Sequence, residues 1–374
     1  MTRLAGNLLL GGVPVPGAIE FGDVITGLEV HGPPLAGDAP YLAPGFIDVH
    51  VHGGGGGDTM DGPEGVVALA SYHLTRGTTT ILPTTMTNPW ENVVRALEGV
   101  AEVMEGAPAA GAQLPDIPGA HLEGPFISPH KLGAQPAFTQ LPTAELVAEV
   151  LDLGVVSLVT MAPEIEHATE AARTFGAAGV RVSCGHTVAT YDQASALLAA
   201  TWERGSEGGF THLYNAMSQL GSREPGVVGA ALASGRAYAE LILDLHHVHP
   251  ASFRAAHAAK PDRLLLITDA IRATGLGDGE SELGGLPVTV RGGAARLADG
   301  TLAGSVLTLD RAVRNAVEAG LELHQAVALV TATPAAYLGL SDRGVLEAGR
   351  RADIVVLDDD LEVIDVYVAG RRLT

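Results

Sequence analysis

Residues 46–57 read FIDVHVHGGGGG, an apolar run that ends in two histidines and is followed by five consecutive glycines. The β-branched and aromatic residues of this run are typical of a buried strand. Side chains alternate along a strand, so His50 and His52 share one face and lie about 6.6 Å apart along it. That spacing lets two imidazoles converge on one ion. The glycines let the chain turn sharply or pass close to a site.

Seven more aliphatic runs follow, and helical patterns lie between most of them. The clearest helical pattern is residues 190–205, in which Tyr191, Ala194, Leu198 and Trp202 share one face. Eight strands that alternate with helices over roughly 250 residues predict an α/β fold, a (β/α)₈ barrel of the TIM type. The predicted strands are Phe46–His52, Thr78–Met86, Ile117–Glu123, Val155–Ala162, Val180–His186, Phe210–Asn215, Ala239–Val248 and Arg263–Ala270.

The two ends of the chain have a different pattern. Both consist of short alternating runs broken by Gly and Pro, which is typical of exposed antiparallel strands. We therefore expect residues 1–43 and 343–374 to form one small β-sandwich domain. Residues 44–342 would form the barrel, as a long insertion between the strands of that domain.

Charge and cysteine content restrict the class of protein. The chain has 22 basic and 43 acidic residues and a net charge of −21, without a basic stripe, which argues against a nucleic-acid partner. No run approaches the ~18 apolar residues of a membrane span, and the N-terminal apolar run is too short for a signal peptide. Cys184 is the single cysteine, which favours a reducing, cytoplasmic location. A small anionic substrate would need a local cationic pocket.

Several predicted strands end in histidine, glutamate or aspartate, residue types that commonly bind metal ions. Catalytic residues of such barrels come from the carboxyl ends of several strands. Histidine and carboxylate ligands together suit Zn²⁺ or Fe²⁺. The residues at these ends are His50, His52, Glu123, His186, His212 and Asp269, with His247 as a further candidate.

Each of these signals is weak when taken alone. A single His-x-His pair is often chance, and Asp269 could cap a helix. The glycines could cradle a phosphate, but the Gly-Lys-Ser/Thr of a P-loop is absent. Six such residues at the ends of five separate strands nevertheless predict a metal centre. His31, His73 and the small buried Cys184 are interpreted as structural.

Several motifs resemble one known family. They are PGFIDVHVHGGGG at 44–56, HLEGPFISPHKLGAQ at 121–135, CGHTVAT at 184–190, THLYNAMSQLGSREPG at 211–226 and ITDA at 267–270. Together they resemble the N-acetylglucosamine-6-phosphate deacetylases of the amidohydrolase superfamily, over nearly the whole chain. The resemblance implies hydrolysis of the acetamide of N-acetylglucosamine 6-phosphate to acetate and glucosamine 6-phosphate, a step of amino-sugar metabolism.

The resemblance also implies a set of metal ligands. Glu123, His186 and His212 would hold one divalent ion, and a chain that also has His50 and His52 resembles the members that hold two. Many binuclear amidohydrolases bridge their ions with a carboxylated lysine on strand 4. The lysines here, Lys131 and Lys260, end no predicted strand, so Glu123 is the expected bridge.

Substrate contacts follow from the same resemblance. Arg223, His247 and the backbone amides of Asn215 and Ala216 would bind the 6-phosphate. Arg223 would reach in from the neighbouring subunit, which implies a homodimer. Relatives often have histidine where this chain has Gln135, which can still donate a hydrogen bond to the substrate carbonyl through its amide.

Acid–base chemistry assigns the remaining role to Asp269. It can take a proton from the attacking water and pass it to the leaving nitrogen, which leaves poorly unless it is protonated. Other interpretations stay open. They are a deacetylase of N-acetylgalactosamine 6-phosphate, another amidohydrolase such as a nucleobase deaminase, and a metal-binding protein without catalysis. Arg223 and the HLEGPF motif argue against nucleobases.

Overall fold

The structure is a computed structural model that describes residues 1–32, 37, 39–106 and 113–373. The strands are β1 (Thr2–Leu8), β2 (Val15–Phe21), β3 (Ile25–Val30), β4 (Tyr41–Pro44), β5 (Phe46–Val51), β6 (Gly53–Gly54), β7 (Gly57–Asp58), β8 (Thr78–Pro83), β9 (Ala120–Glu123), β10 (Val156–Met161), β11 (Arg181–Cys184), β12 (Gly208–Phe210), β13 (Ala239–Ile242), β14 (Leu264–Ile267), β15 (Gly279–Leu283), β16 (Leu286–Arg291), β17 (Ala294–Arg296), β18 (Ile354–Leu357), β19 (Val363–Val368) and β20 (Arg371–Arg372). The helices are α1 (Pro63–Leu74), α2 (Trp90–Met104), α3 (Ala144–Asp152), α4 (Ala168–Ala177), α5 (Tyr191–Trp202), α6 (Gly226–Ala233), α7 (Pro250–Ala259), α8 (Leu309–Glu318), α9 (Leu323–Ala328) and α10 (Ala332–Leu338).

The eight predicted inner strands are all present, as β5 and β8 to β14. β5 pairs with β8, β9 to β12 pair in sequence order, and β13 pairs with β14, in every case in parallel. Shorter links join these groups: bridges Thr84–His121 and Val51–Ala270, and the amide of Phe210 donating to the carbonyl of Tyr238 at 3.1 Å. The prediction of an α/β fold with parallel strands is confirmed.

Two inner strands, β12 and β13, differ most from their predicted ends, and the other inner strands end within three residues of theirs. β12 ends at Phe210 instead of Asn215, and β13 ends at Ile242 instead of Val248. His212 and Tyr214 have positive φ angles of 33° and 82°, and Leu245 has one of 69°. Backbone in that region cannot continue a strand, so both stretches form the loops above the strands.

The predicted helix at 190–205 is confirmed as α5, which ends at Trp202. Thr190 caps it by accepting a hydrogen bond from the amide of Gln193, and the side-chain oxygen of Gln193 accepts one from the amide of Thr190. Ala194 and Leu198 are fully buried. Within the part of the chain that the structure describes, no helix is long and apolar enough to cross a membrane.

β5 shows how the inner strands are built. All of its residues are buried. Ile47, Val49 and Val51 alternate with Asp48 and His50, so one face packs in the aliphatic core and the other presents polar groups inward. The aliphatic face holds the strand in place, and the polar face supplies the site.

The terminal segments form one continuous sheet of order β20-β19-β18-β4-β1-β2-β3. Most of its pairs are antiparallel, as predicted, but β1 and β4 run parallel. The sheet curls so that its two halves share an apolar cluster, in which the rings of Phe21 and Tyr367 lie 5.3 Å apart edge to face. β4 leads directly into β5 and so joins this sheet to the inner strands.

A three-stranded antiparallel sheet, β15 to β17, follows β14 and was not predicted. Its Leu283 packs with Met86 and Ile271 in a separate apolar cluster. This cluster lies next to the ends of the inner strands.

Candidate metal centre

The six predicted ligands meet at one place, around the carboxylate of Glu123. His52 Nε2 lies 3.2 Å from Glu123 Oε2. His186 Nε2 and His212 Nε2 lie 3.2 and 3.1 Å from Glu123 Oε1, and His50 Nε2 lies 3.5 Å from the same atom. Two groups with metal-ligand geometry result, His50–His52–Glu123 and Glu123–His186–His212. Glu123 belongs to both, in the position of a bridging carboxylate.

Asp269 completes the cluster on the side of the first group. Its Oδ1 lies 3.1 Å from His52 Nε2 and 3.6 Å from His50 Nε2. The amide of Asp269 donates to the carbonyl of His50 at 2.9 Å, which ties the two strand ends together. Asp269 is only 7% exposed, and it lines the cavity above the cluster.

The hydrogen bonds of the rings show that a cation fits this centre. His52 Nδ1 lies 3.2 Å from the carbonyl of Thr84, and His186 Nδ1 lies 3.0 Å from the carbonyl of Lys131. A carbonyl only accepts, so each Nδ1 carries a proton and each ring turns Nε2 towards the carboxylates. Lone pairs that face carboxylate oxygens need a cation between them, either a proton or a metal ion.

The pKa values of His52 and Glu123 also indicate that a cation fits between the rings and the carboxylates. Burial lowers the pKa of His52, but contacts with Asp269 and Glu123 outweigh burial and raise it to about 9. Burial raises the pKa of Glu123, but the surrounding histidines outweigh that effect and hold it well below its usual range. These residues could therefore hold a divalent ion in place of protons on the rings. The nitrogen and carboxylate ligands fit Zn²⁺ or Fe²⁺.

Three of the ligands have left-handed backbone, His186, His212 and Asp269, with φ angles of 47°, 33° and 50°. Non-glycine residues in such regions cost about 1–3 kcal/mol each and persist only where the surroundings require them. Each residue stands just after an inner strand. The backbone is thus strained where it turns these side chains towards Glu123.

A cavity of about 330 Å³ opens above the cluster. Along one side it is lined by apolar residues, Met86, Leu283 and Leu302. Asn215, Ala216 and His247 also line it. His247 Nδ1 bonds to Asp244 Oδ2 at 2.7 Å, which orients the ring.

Two predicted substrate residues are placed differently from the rest. Gln135 lines the cavity, but its Nε2 donates to Glu123 Oε2 at 2.6 Å and its Oε1 accepts from the amide of Thr87 at 2.7 Å. Arg223 is exposed and does not line the cavity of its own chain. Gln135 therefore contacts the metal-binding carboxylate directly, and Arg223 stays outside this single-chain site.

Sequence reasoning missed two buried acids beside His50. Glu240, on β13, lies with its Oε2 3.1 Å from His50 Nδ1. Asp48 accepts from the hydroxyl of Thr268 at 2.6 Å and from the amide of His50 at 3.2 Å, and burial raises the pKa of Asp48 to about 7. Both were detectable as acids within otherwise apolar strands, on the alternation that faces inward.

The glycines after His52 have a packing role. A Cβ on Gly54 would lie 2.7 Å from His73 Nε2, and one on Gly57 would lie 2.6 Å from the carbonyl of Gly65. The segment lies close against α1 in the short β6–β7 hairpin. His73 lies on α1 with Nε2 3.0 Å from the carbonyl of Gly53, and burial lowers its pKa to about 4, so the ring is neutral.

Comparison with known proteins agrees with this geometry. A profile of the amidohydrolase family matches residues 41–373. N-acetylglucosamine-6-phosphate deacetylase of Bacillus subtilis is 42% identical over 338 residues, 88% of this chain and 83% of that protein. N-acetylgalactosamine-6-phosphate deacetylase of Escherichia coli is 40% identical over 341 residues, 89% of this chain and 88% of that protein.

Solved structures give the same result. A mutant N-acetyl-D-glucosamine-6-phosphate deacetylase of Mycobacterium smegmatis, in complex with N-acetyl-D-glucosamine 6-phosphate, superimposes with a TM-score of 0.89 and 37% identity. The match covers 99% of this chain and 98% of that one. The chain therefore belongs to the amidohydrolase family and, within it, to the family of N-acetylglucosamine-6-phosphate deacetylases.

Proposed function

We propose that this protein is a metal-dependent deacetylase that converts N-acetyl-D-glucosamine 6-phosphate and water to D-glucosamine 6-phosphate and acetate. The observation that supports this most strongly is the shared carboxylate of Glu123 between two histidine pairs, at the base of a cavity. Divalent ions held there, one or two per chain and most simply Zn²⁺ or Fe²⁺, would lower the pKa of water towards ~7 and polarise the acetamide carbonyl.

Asp269 is the proposed proton carrier. Both oxygens of Glu123 are occupied by ring nitrogens and by Gln135. The ring contacts of Asp269 are made through Oδ1, and the residue lines the cavity. Its carboxylate accepts the proton of the attacking water and returns it to the nitrogen as the C–N bond breaks. Gln135 lies close enough to this centre to contact the acetyl group.

We further propose that the 6-phosphate lies near His247 and the Asn215–Ala216 segment. These groups line the same cavity as the ligands. Arg223 would complete the phosphate site of the other protomer in a homodimer. Its exposure and its absence from the cavity of its own chain support that arrangement.

The finer features of the fold belong to the same proposal. The parallel strands and the bridges between their groups support a closed (β/α)₈ barrel formed by residues 44–342. The small domain would comprise residues 1–43 and 343–374, where the curled terminal sheet supports a sandwich-like arrangement. We place the enzyme in the cytoplasm, in keeping with one buried cysteine.

The test is direct. Purified protein loaded with Zn²⁺ or Fe²⁺ is incubated with N-acetylglucosamine 6-phosphate, and free amine and acetate are measured. We expect equal amounts of both products, and none with unphosphorylated N-acetylglucosamine at the same concentration. A loaded protein that releases no amine would refute the proposal.

The galacto epimer is the second candidate, because the Escherichia coli relative named for that substrate is 40% identical. The same assay with N-acetylgalactosamine 6-phosphate ranks the two by kcat/KM. A higher value for the galacto substrate would reverse our choice.

A further inference from the structure

Glu240 is a buried acid that the proposed mechanism does not use. It lies on β13 between Ala239 and Leu241, which are both fully buried, and is itself only 1% exposed. The alternation of the strand turns it inward. Burying a carboxylate costs several kcal/mol unless partners compensate, so its position needs an explanation.

The partner of Glu240 is His50. Glu240 Oε2 lies 3.1 Å from His50 Nδ1, whereas Glu240 Oε1 has no hydrogen-bond partner in the described part of the chain. No arginine or lysine forms an ion pair with Glu240 among the described residues. The single contact of this acid therefore leads to the metal centre.

This contact distinguishes His50 from its neighbours. Thr84 and Lys131 offer neutral carbonyls to Nδ1 of His52 and His186, whereas Nδ1 of His50 faces a carboxylate. A carboxylate on one ring nitrogen fixes the tautomer and makes the other nitrogen a stronger ligand. Nε2 of His50 is the nitrogen turned towards Glu123 and Asp269.

We infer that Glu240 is a positioning residue for the His50–His52–Glu123 group, which holds His50 in its Nδ1–H tautomer and so strengthens ion binding in that group alone. The inference rests on the proposed metal centre. Among the described residues no side-chain hydrogen bond joins Glu240 to His186 or His212, and the charge of His212 acts on Glu240 less than that of His50 does. The ion affinity of the Glu123–His186–His212 group should therefore not change measurably when Glu240 is replaced.

The test measures ion binding separately from activity. Metal-free wild type and the variants Glu240→Gln, Glu240→Asp and Glu240→Met are titrated with Co²⁺ by calorimetry and visible absorption. Gln keeps a hydrogen-bond acceptor for Nδ1–H of His50 without the charge. Asp keeps the charge but, being one methylene shorter, moves it away from His50. Met removes the charge and the acceptor. Ser183→Ala is the control, since Ser183 is as buried as Glu240 but bonds to Thr211 and Tyr337 and not to a predicted metal ligand.

We expect the Asp and Met variants to bind one of the two ions about 10- to 100-fold more weakly than wild type. The second ion should stay at its wild-type affinity, and the Gln variant should lie between wild type and Asp. Equal weakening of both ions, or unchanged binding in the folded Asp and Gln variants, would overturn the inference.

Failure of the proposed function gives a different result. In that case wild type itself binds no Co²⁺ and releases no amine, which refutes the metal centre and this inference with it. A wild type that binds two ions and deacetylates, beside Glu240 variants that bind normally, refutes the role of Glu240 alone.

Discussion

Replacement of Asp269 by Asn tests the central step of the proposed chemistry. The change keeps the shape of a side chain that is 7% exposed but removes its charge and basicity. Glu123 cannot replace it, because both of its oxygens already contact ring nitrogens or Gln135. The proton must then move without a positioned carrier.

Loss of general acid–base catalysis should lower kcat by about 10²- to 10⁴-fold, which corresponds to about 3 to 5 kcal/mol in the barrier. Asp269 Oδ1 also lies 3.1 Å from His52 Nε2, so weaker ion binding can add to this loss. Substrate binding should change by less than about tenfold, since the proposed phosphate contacts lie elsewhere in the cavity and tenfold is only about 1.4 kcal/mol.

Steady-state kinetics give kcat, calorimetry gives the dissociation constant of the substrate, and elemental analysis gives the ion content of each sample. Asp353→Asn is the control, since Asp353 is a buried aspartate in the terminal sheet segment, bonded to Arg351 at 3.0 Å. It should keep near-normal kcat. An Asp269→Asn enzyme with full ion content and near-normal kcat would show that Asp269 is not the proton carrier.

Three further predictions concern ion content, assembly and pH. Metal-saturated wild type should contain two ions per chain by elemental analysis, and replacing both His50 and His52 by Ala should leave one; a single ion in wild type would contradict the two-group centre. Arg223→Ala chains mixed with Asp269→Asn chains should regain activity, because each mixed dimer has one site with both residues intact; no recovery after confirmed subunit exchange would refute the shared site. The pKa of His73 is about 4 in the folded chain and 6.5 in the unfolded chain, so the unfolded chain binds more protons between these pH values. The contribution of His73 to the free energy of unfolding is therefore complete above pH 6.5 and falls by about 3 kcal/mol towards pH 4. Denaturant unfolding should show that the free energy of unfolding of His73→Gln falls less than that of wild type between pH 6.5 and pH 4. If the two proteins lose the same free energy of unfolding over this range, His73 is not the group responsible.

Local patterns determined the elements and the positions of the ligand residues. Aliphatic runs form parallel strands wherever both faces are buried, and alternation along each run decides which residues face inward. The placement of His50 on β5 and of His52 directly after it, and the capped helix α5, were therefore predictable from neighbouring residues alone. So was the meeting of six ligands at one end of the strands, once parallel pairing was assumed.

Contacts between distant parts of the chain were decided by the tertiary structure. Glu240 and His50 are 190 residues apart, and no local pattern pairs them. Gln135 lines the cavity and also bonds to Glu123, a contact that arises because loop and strand end meet only in the folded chain. His212 has a left-handed backbone just after β12, and its ring lies 3.1 Å from Glu123, a contact between distant residues that no local pattern predicts. Sequence thus determined which residues stand at the strand ends, since strand alternation is local, whereas packing determined how each is oriented, since that depends on partners brought together by folding.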